Sequence, residues 1–198
     1  MNIEEQLSLI LQNALAQSIQ NTINENLDNA RKGDQWIQEL TNQFRQQYPT
    51  NDDFRVFSKP SSEHRNEFLL NELLHDICVV RTATIPSAFW DKNLIYVAEG
   101  IWQIESEFQT DDSRETLKDF NKLVLGSAQN KLFIAPSGGR LEQWMMRHLC
   151  VVAARCTGNV FLALVPQPNQ WNTGKLQIQL FKLEGQNWDD GKMIKINT

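Results

Sequence analysis

Residues 94–108 read LIYVAEGIWQIESEF, and the fold turns on how that run is folded. Its β-branched and aromatic residues predict two strand pieces meeting near Glu99 and Gly100, joined by a tight hairpin turn or passing through a glycine-marked bulge. In the second piece side chains alternate across the strand. Glu105 and Glu107 therefore emerge on one face with Ile101 and Gln103, while Trp102, Ile104, Ser106 and Phe108 take the other. Two carboxylates on one face of an otherwise apolar strand are costly unless something positive sits between them. Two readings follow: the pair surrounds a divalent cation, or it faces water on an edge strand.

Working upstream, residues 62–76 (SEHRNEFLLNELLHD) open on capping residues and set Phe68, Leu69, Leu73 and Leu74 on one side, which predicts a helix. DICVVRTAT, from residue 76, changes to strand composition that Pro86 interrupts. Glu72 then rides the helix and Asp76 heads a strand adjacent to the one bearing Glu105. Carboxylates from adjacent strands are what an oxygen-liganded Mg²⁺ site requires. Downstream, residues 113–129 predict a helix whose core face is Leu117, Phe120, Val124 and Ala128. Lys118 and Lys122 lie one turn apart on a neighbouring face, so a helix returning along the sheet brings Lys122 to the carboxylates. KLFIAP (131–136) is a strand, SGGR (137–140) a turn, and residues 141–156 a long helix closed by Gly158. Two further strands, NVFLALVP and KLQIQLFKLEG, form a hairpin. The order after residue 62 is αβββαβαββ, an α/β arrangement around a mixed sheet.

The first 60 residues have a different character. Apolar residues from Ile3 to Leu27 recur at intervals of three and four, predicting a helix over residues 3–30, with Gly33 as its stop and Asp34 as a new N-cap. Trp36, Ile37, Leu40, Phe44 and Tyr48 mark a second amphipathic helix that Pro49 ends. A loop follows, with a short extended piece at residues 54–57. The chain thus divides into a helical amino-terminal extension, 1–60, and an α/β domain, 61–198. The stripe Leu7, Ile10, Leu11 and Leu15 must be hidden, either on that domain or across a homodimer.

Of the 198 residues, 41% are hydrophobic and 22% charged, which excludes a disordered chain. Three cysteines, an odd number, each sit in an apolar run and are read as buried thiols without a disulfide framework. Glutamates stand where a secretory signal would carry Lys or Arg, and no apolar run approaches the roughly 20 residues that span a bilayer. A cytoplasmic protein with no membrane partner is expected. The net charge of −5 argues against binding nucleic acid through bulk charge. Residues 113–155 nevertheless hold seven basic side chains against three acidic ones, the flank a phosphodiester needs beside an acidic cluster. With three histidines in all, a His-based metal site has little support, and His75 is read as a packing or hydrogen-bonding group.

Taken together, Glu72-Leu73-Leu74-His75-Asp76, the strand Glu105-Ser106-Glu107-Phe108, and the helix Asp119-Phe120-Asn121-Lys122-Leu123 followed by the strand at 131–135 resemble the PD-(D/E)XK, or restriction-endonuclease-like, superfamily. The similarity is greatest to a group of small bacterial proteins with an ELLHD-like junction, an ESE(W/F) strand and a DFxKL helix, and it covers residues 63–165. The resemblance implies a mixed central sheet flanked by helices and Mg²⁺- or Mn²⁺-dependent hydrolysis of phosphodiesters, with DNA as the partner. It also implies that Asp76, Glu105 and Glu107 are the metal ligands and that Glu72 is a supporting acid. Glu107 stands where the superfamily has its lysine, and Lys122 is positioned to act for it. The same departure opens an alternative, a catalytically inactive scaffold that binds protein or nucleic acid, and the placement of Lys122 discriminates between the two.

Overall fold

The computed structural model describes residues 2–25, 27–50, 53–70, 72–89, 91–108, 112–171 and 176–196. Helix α1 (Ile3–Glu25) opens with a reciprocal cap, in which Glu5 N donates to Asn2 Oδ1 at 2.8 Å and Asn2 N to Glu5 Oε2 at 3.1 Å. The break to α2 (Asn29–Gln47) comes earlier than expected. Asp28, not Asp34, is the N-cap, accepting from Arg31 N at 2.9 Å, and Gly33 lies inside the second helix. An Asp whose side chain satisfies an orphan N–H initiates the helix there, and a glycine costs a helix interior only about 1 kcal/mol relative to Ala.

Among the described residues eight strands form one sheet: β1 (Phe54–Ser58), β2 (Ile77–Pro86), β3 (Asn93–Ser106), β4 (Asn130–Pro136), β5 (Asn159–Val165), β6 (Gln177–Glu184), β7 (Asn187–Trp188) and β8 (Lys192–Lys195). Spatial order follows chain order from β1 to β7, and β8 also pairs with β6. Only β3–β4 and β4–β5 are parallel; every other pairing is antiparallel, so this is an α/β protein on an open, mixed, mostly antiparallel sheet. Helix α4 (Ser113–Leu125) makes the first parallel crossover; we number it after the short α3 (Arg65–Phe68). The second crossover is α5, which runs Gly139–Trp144, passes through a π turn at Met145–Leu149 and ends at Cys150–Ala153.

Residues 93–106 are one continuous strand, so the bulge reading holds and the hairpin reading does not. The β2–β3 register slips between Val79 and Val80 and again between Arg81 and Thr82, leaving Ile101 and Ala98 as extra residues. A bulge lets two successive side chains turn the same way, and Ile101 and Trp102 both enter the same apolar cluster.

That cluster draws on both parts of the chain. Leu7, Leu11, Leu15, Trp36, Leu40 and Phe44 of α1 and α2 pack with Val79, Trp102, Ile104, Leu132, Ile134 and Phe161 of the sheet. The opposite face buries Phe120 and Leu123 of α4 with Phe133, Leu162 and Leu164 and with Leu141, Met145 and Leu149 of α5. Residues 1–60 therefore supply one layer of the core and its edge strand β1 rather than an appendage. Of the two expected ways of hiding the stripe Leu7, Ile10, Leu11 and Leu15, on the α/β domain or across a homodimer, the first is seen. No helix among the described residues is long and apolar enough to cross a membrane.

The helix expected over residues 62–76 shrinks to α3. Leu69 takes a left-handed conformation (φ 61°) and caps it, and the described residues between it and β2 (70 and 72–76) are neither helix nor strand. Only Phe68 and Leu73 reach the small cluster of Phe57, Cys78 and Val80. The single helical side expected for Phe68 and Leu73 is corrected here: residues five apart stand on different sides of a helix, and the chain's departure from helix after α3 lets both pack. α4 also stops short of residue 129: Gly126 leaves it in an extended conformation (φ −80°, ψ 153°) and lies against the Gln103 side chain, where a Cβ would collide.

Candidate functional site

Asp76 immediately precedes β2 and Glu105 is the penultimate residue of β3. Carrying the register on from Ile77 opposite Ile104 sets the two against each other. β3 lies between β2 and β4, so Glu105 is no edge-strand residue: it is 1% exposed, which removes the solvent-face alternative. Asp76 Oδ2 accepts from Ser106 N at 2.8 Å and so fixes the end of β3.

Lys122, in the last turn of α4, completes the group. Its Nζ lies 2.9 Å from Glu105 Oε2 and 2.9 Å from Asp119 Oδ1. The returning helix thus brings the lysine to the carboxylate as its spacing predicts. Burial opposes the Lys122 ammonium, but the hydrogen bonds and charges of Asp119 and Glu105 outweigh it and hold its pKa above the usual lysine value. Glu105 is pushed up to about 8, first by burial and then by the charge of Asp76, against the pull of Lys122. Asp76 is raised as well, mainly by burial, against the Ser106 bond and Lys122. Glu105 Oε1 is buried without a hydrogen-bond partner.

His75 ties the two elements together. Its Nε2 is 3.1 Å from the Lys122 carbonyl, which can only accept, so the proton is on Nε2 and Nδ1 faces the Cys78 thiol at 3.6 Å. Burial lowers the His75 pKa and lifts the Cys78 thiol to about 12. Both are packing and hydrogen-bonding groups, and the cysteines are free, with Cys78 and Cys150 buried and Cys156 half-buried.

Other expected members are arranged differently. Glu72 is exposed on the irregular stretch rather than on a helix and touches the site only as the weakest charge acting on Asp76. Glu107 is half-buried one residue beyond β3, where its N–H donates to Ile134 O at 2.9 Å. Among the described residues no three His, Cys, Asp or Glu side chains gather as a metal-holding group, Asp76, Glu105 and Glu107 included. Lys131, counted in the basic flank, is wholly buried and donates to Ala128 O, Thr157 O and Thr157 Oγ1. Asp119 had no role assigned from sequence; its signal was the i,i+3 spacing to Lys122.

Asp76 also faces the other way, into a cleft of about 510 Å³. The walls are Gly33, Asp34 and Ile37 of α2, Lys59 and Pro60 after β1, and Ser106 and Phe108 at the end of β3. Sequence reading names Gly33, Asp34 and Ile37 only as helix residues and Ser106 and Phe108 only as strand residues, since nothing in their spacing joins α2 to the far end of β3.

The raised carboxyls carry a pH dependence. Between about pH 4.5 and 8 the folded chain keeps a proton on Glu105 that the unfolded chain has released, so rising pH favours unfolding. Asp76 acts in the same sense. His75 and His64, both lowered by burial, act oppositely but only below about 6.5. Stability is therefore expected to fall by about 1–2 kcal/mol from pH 6.5 to 8. Urea unfolding at both pH values checks this, and Glu105→Gln should remove most of the slope. In comparisons with known proteins the chain matches no family, no curated sequence and no solved structure.

Proposed function

We propose that the protein is a Mg²⁺- or Mn²⁺-dependent phosphodiesterase of the restriction-endonuclease-like kind acting on DNA. The observation that carries this reading is the Lys122 ammonium seated on buried Glu105 beside Asp76, a carboxylate that opens onto a cleft. A lysine joined to paired acids is the chemistry the strand position of Glu107 lacks, and here a helix supplies it. The order of parts agrees: an acid heading β2, an acid ending the adjacent β3, then a crossover helix to β4.

The residues fit a divalent ion of one kind and not another. Asp76 and Glu105, with Glu105 Oε1 unpartnered, suit Mg²⁺, which binds one or two carboxylates and keeps waters or substrate phosphate for its other positions. They do not suit an all-protein cage. When bound, the ion would supply Lewis acidity toward the phosphoryl oxygens. Asp76 and Glu105 would hold and orient it, and Lys122 would stabilise charge developing on the phosphoryl group.

One observation favours the non-catalytic alternative. Lys122 already balances Glu105, so an ammonium stands where a metal charge would be needed. Cleavage of plasmid, linear and single-stranded DNA with Mg²⁺, Mn²⁺ or EDTA decides. Metal-dependent cleavage that Asp76→Asn slows at least tenfold supports the enzyme. No cleavage of any of the three with either metal supports the inactive scaffold.

A further inference from the structure

Gly33 is out of place by ordinary helix rules. It lies inside α2, where glycine is unfavourable, yet a Cβ built there meets nothing within 4 Å, so no packing inside the chain requires it. What the missing side chain leaves open is the cleft above Asp76. Half-buried Phe108 and Ile37 supply apolar lining to the same cleft. At its rim Lys59 is exposed and, among the described residues, makes no hydrogen bond or ion pair. A glycine-thinned wall, an aromatic residue, one free cation and two carboxylates, Asp34 and Asp76, describe a small-ligand pocket, and about 510 Å³ falls within the roughly 300–1,000 Å³ usual for one.

We propose that this cleft seats a single unpaired nucleotide, and hence that the substrate class is single-stranded DNA rather than duplex. The inference rests on the phosphodiesterase reading and specifies what enters its site. The base lies on Phe108 against the open backbone at Gly33. Lys59 takes the phosphate on the solvent side, and the next phosphodiester falls at Asp76. A base can stack on a side chain only when it is out of the helical stack, and stacking is the sequence-tolerant means by which proteins hold single strands. Duplex recognition would instead need a row of cations neutralising several phosphates, whereas Lys59 is the one basic residue lining the cleft among the described residues.

Fluorescence anisotropy with labelled dT15 and with a 15-base-pair duplex, in Ca²⁺ and low salt, tests the assignment on the full chain. Expected are at least tenfold tighter binding of dT15 than of duplex and at least tenfold weaker dT15 binding by Gly33→Leu and by Phe108→Ala. Lys192→Ala, exposed on β8 and away from the cleft, should bind as the wild type does. Gly33→Leu should melt at or above the wild-type temperature, so that its loss of binding cannot be ascribed to unfolding. Duplex binding equal to or tighter than dT15 binding, or unimpaired binding by Gly33→Leu, overturns the proposal. The two readings fail separately. Gly33-dependent binding without cleavage keeps the pocket and removes the hydrolase, whereas cleavage equally fast in wild type and Gly33→Leu keeps the hydrolase and removes the pocket.

Discussion

Leu11→Ala is expected to destabilise the chain by about 3–5 kcal/mol, the upper part of the range for a buried leucine. Leu11 is fully buried on α1, a helix that would be dispensable if it were an extension. It belongs to the same buried cluster as Trp102 and Ile104 of the site-bearing strand, so its loss weakens the core on which that strand also rests. The loss should therefore appear as one cooperative transition for the whole chain, with no residual step from a separately folded residue 61–198 unit. Leu9→Ala, on the same helix but 47% exposed, should cost under about 1 kcal/mol. Chemical denaturation of the three proteins gives the comparison. Two separate transitions, or similar small losses for Leu11→Ala and Leu9→Ala, would restore the picture of a core with a detachable helical arm.

That picture came from reading the chain by composition. Helical periodicity named Leu7, Leu11 and Leu15 correctly because it depends only on spacing. What it could not give was the surface they meet, since the partners Val79, Leu132 and Phe161 lie tens of residues away on strands whose order no local signal fixes. The same limit separates the legible and illegible parts of the site. Lys122 was legible because β3, a parallel crossover and β4 together dictate where α4 returns. Glu72 failed because α3 unwinds to let both Phe68 and Leu73 pack, a tertiary demand that overrides the helical propensity of FLLNELL. Lys131 failed for a related reason. In the sequence it is one more basic residue, but on the fully buried strand β4 its ammonium is spent on three oxygen acceptors.

Replacing Lys122 should separate the two functional readings with the largest effect on rate. Its ammonium touches Glu105 and Asp119 and lies within the charge field of Asp76. Lys122→Ala should reduce metal-dependent cleavage by about 10² or more, the scale seen when one transition-state-stabilising donor is lost. Folding should change little at pH 6.5. Glu105, released from the lysine that favours its ionised form, would hold its proton still more firmly, so the buried carboxyl stays neutral rather than becoming an unpaired charge. Raising the pH to 9 should then cost Lys122→Ala more stability than the wild type, because ionising Glu105 no longer has an ammonium to meet it. Lys118→Ala, one turn earlier and paired only with Glu115 at the surface, should leave both cleavage and its pH dependence unchanged. Should Lys122→Ala and Lys118→Ala cleave equally well, the ammonium serves only to neutralise Glu105. Catalysis would then have to be carried by Asp76 and Glu105 without the helix lysine.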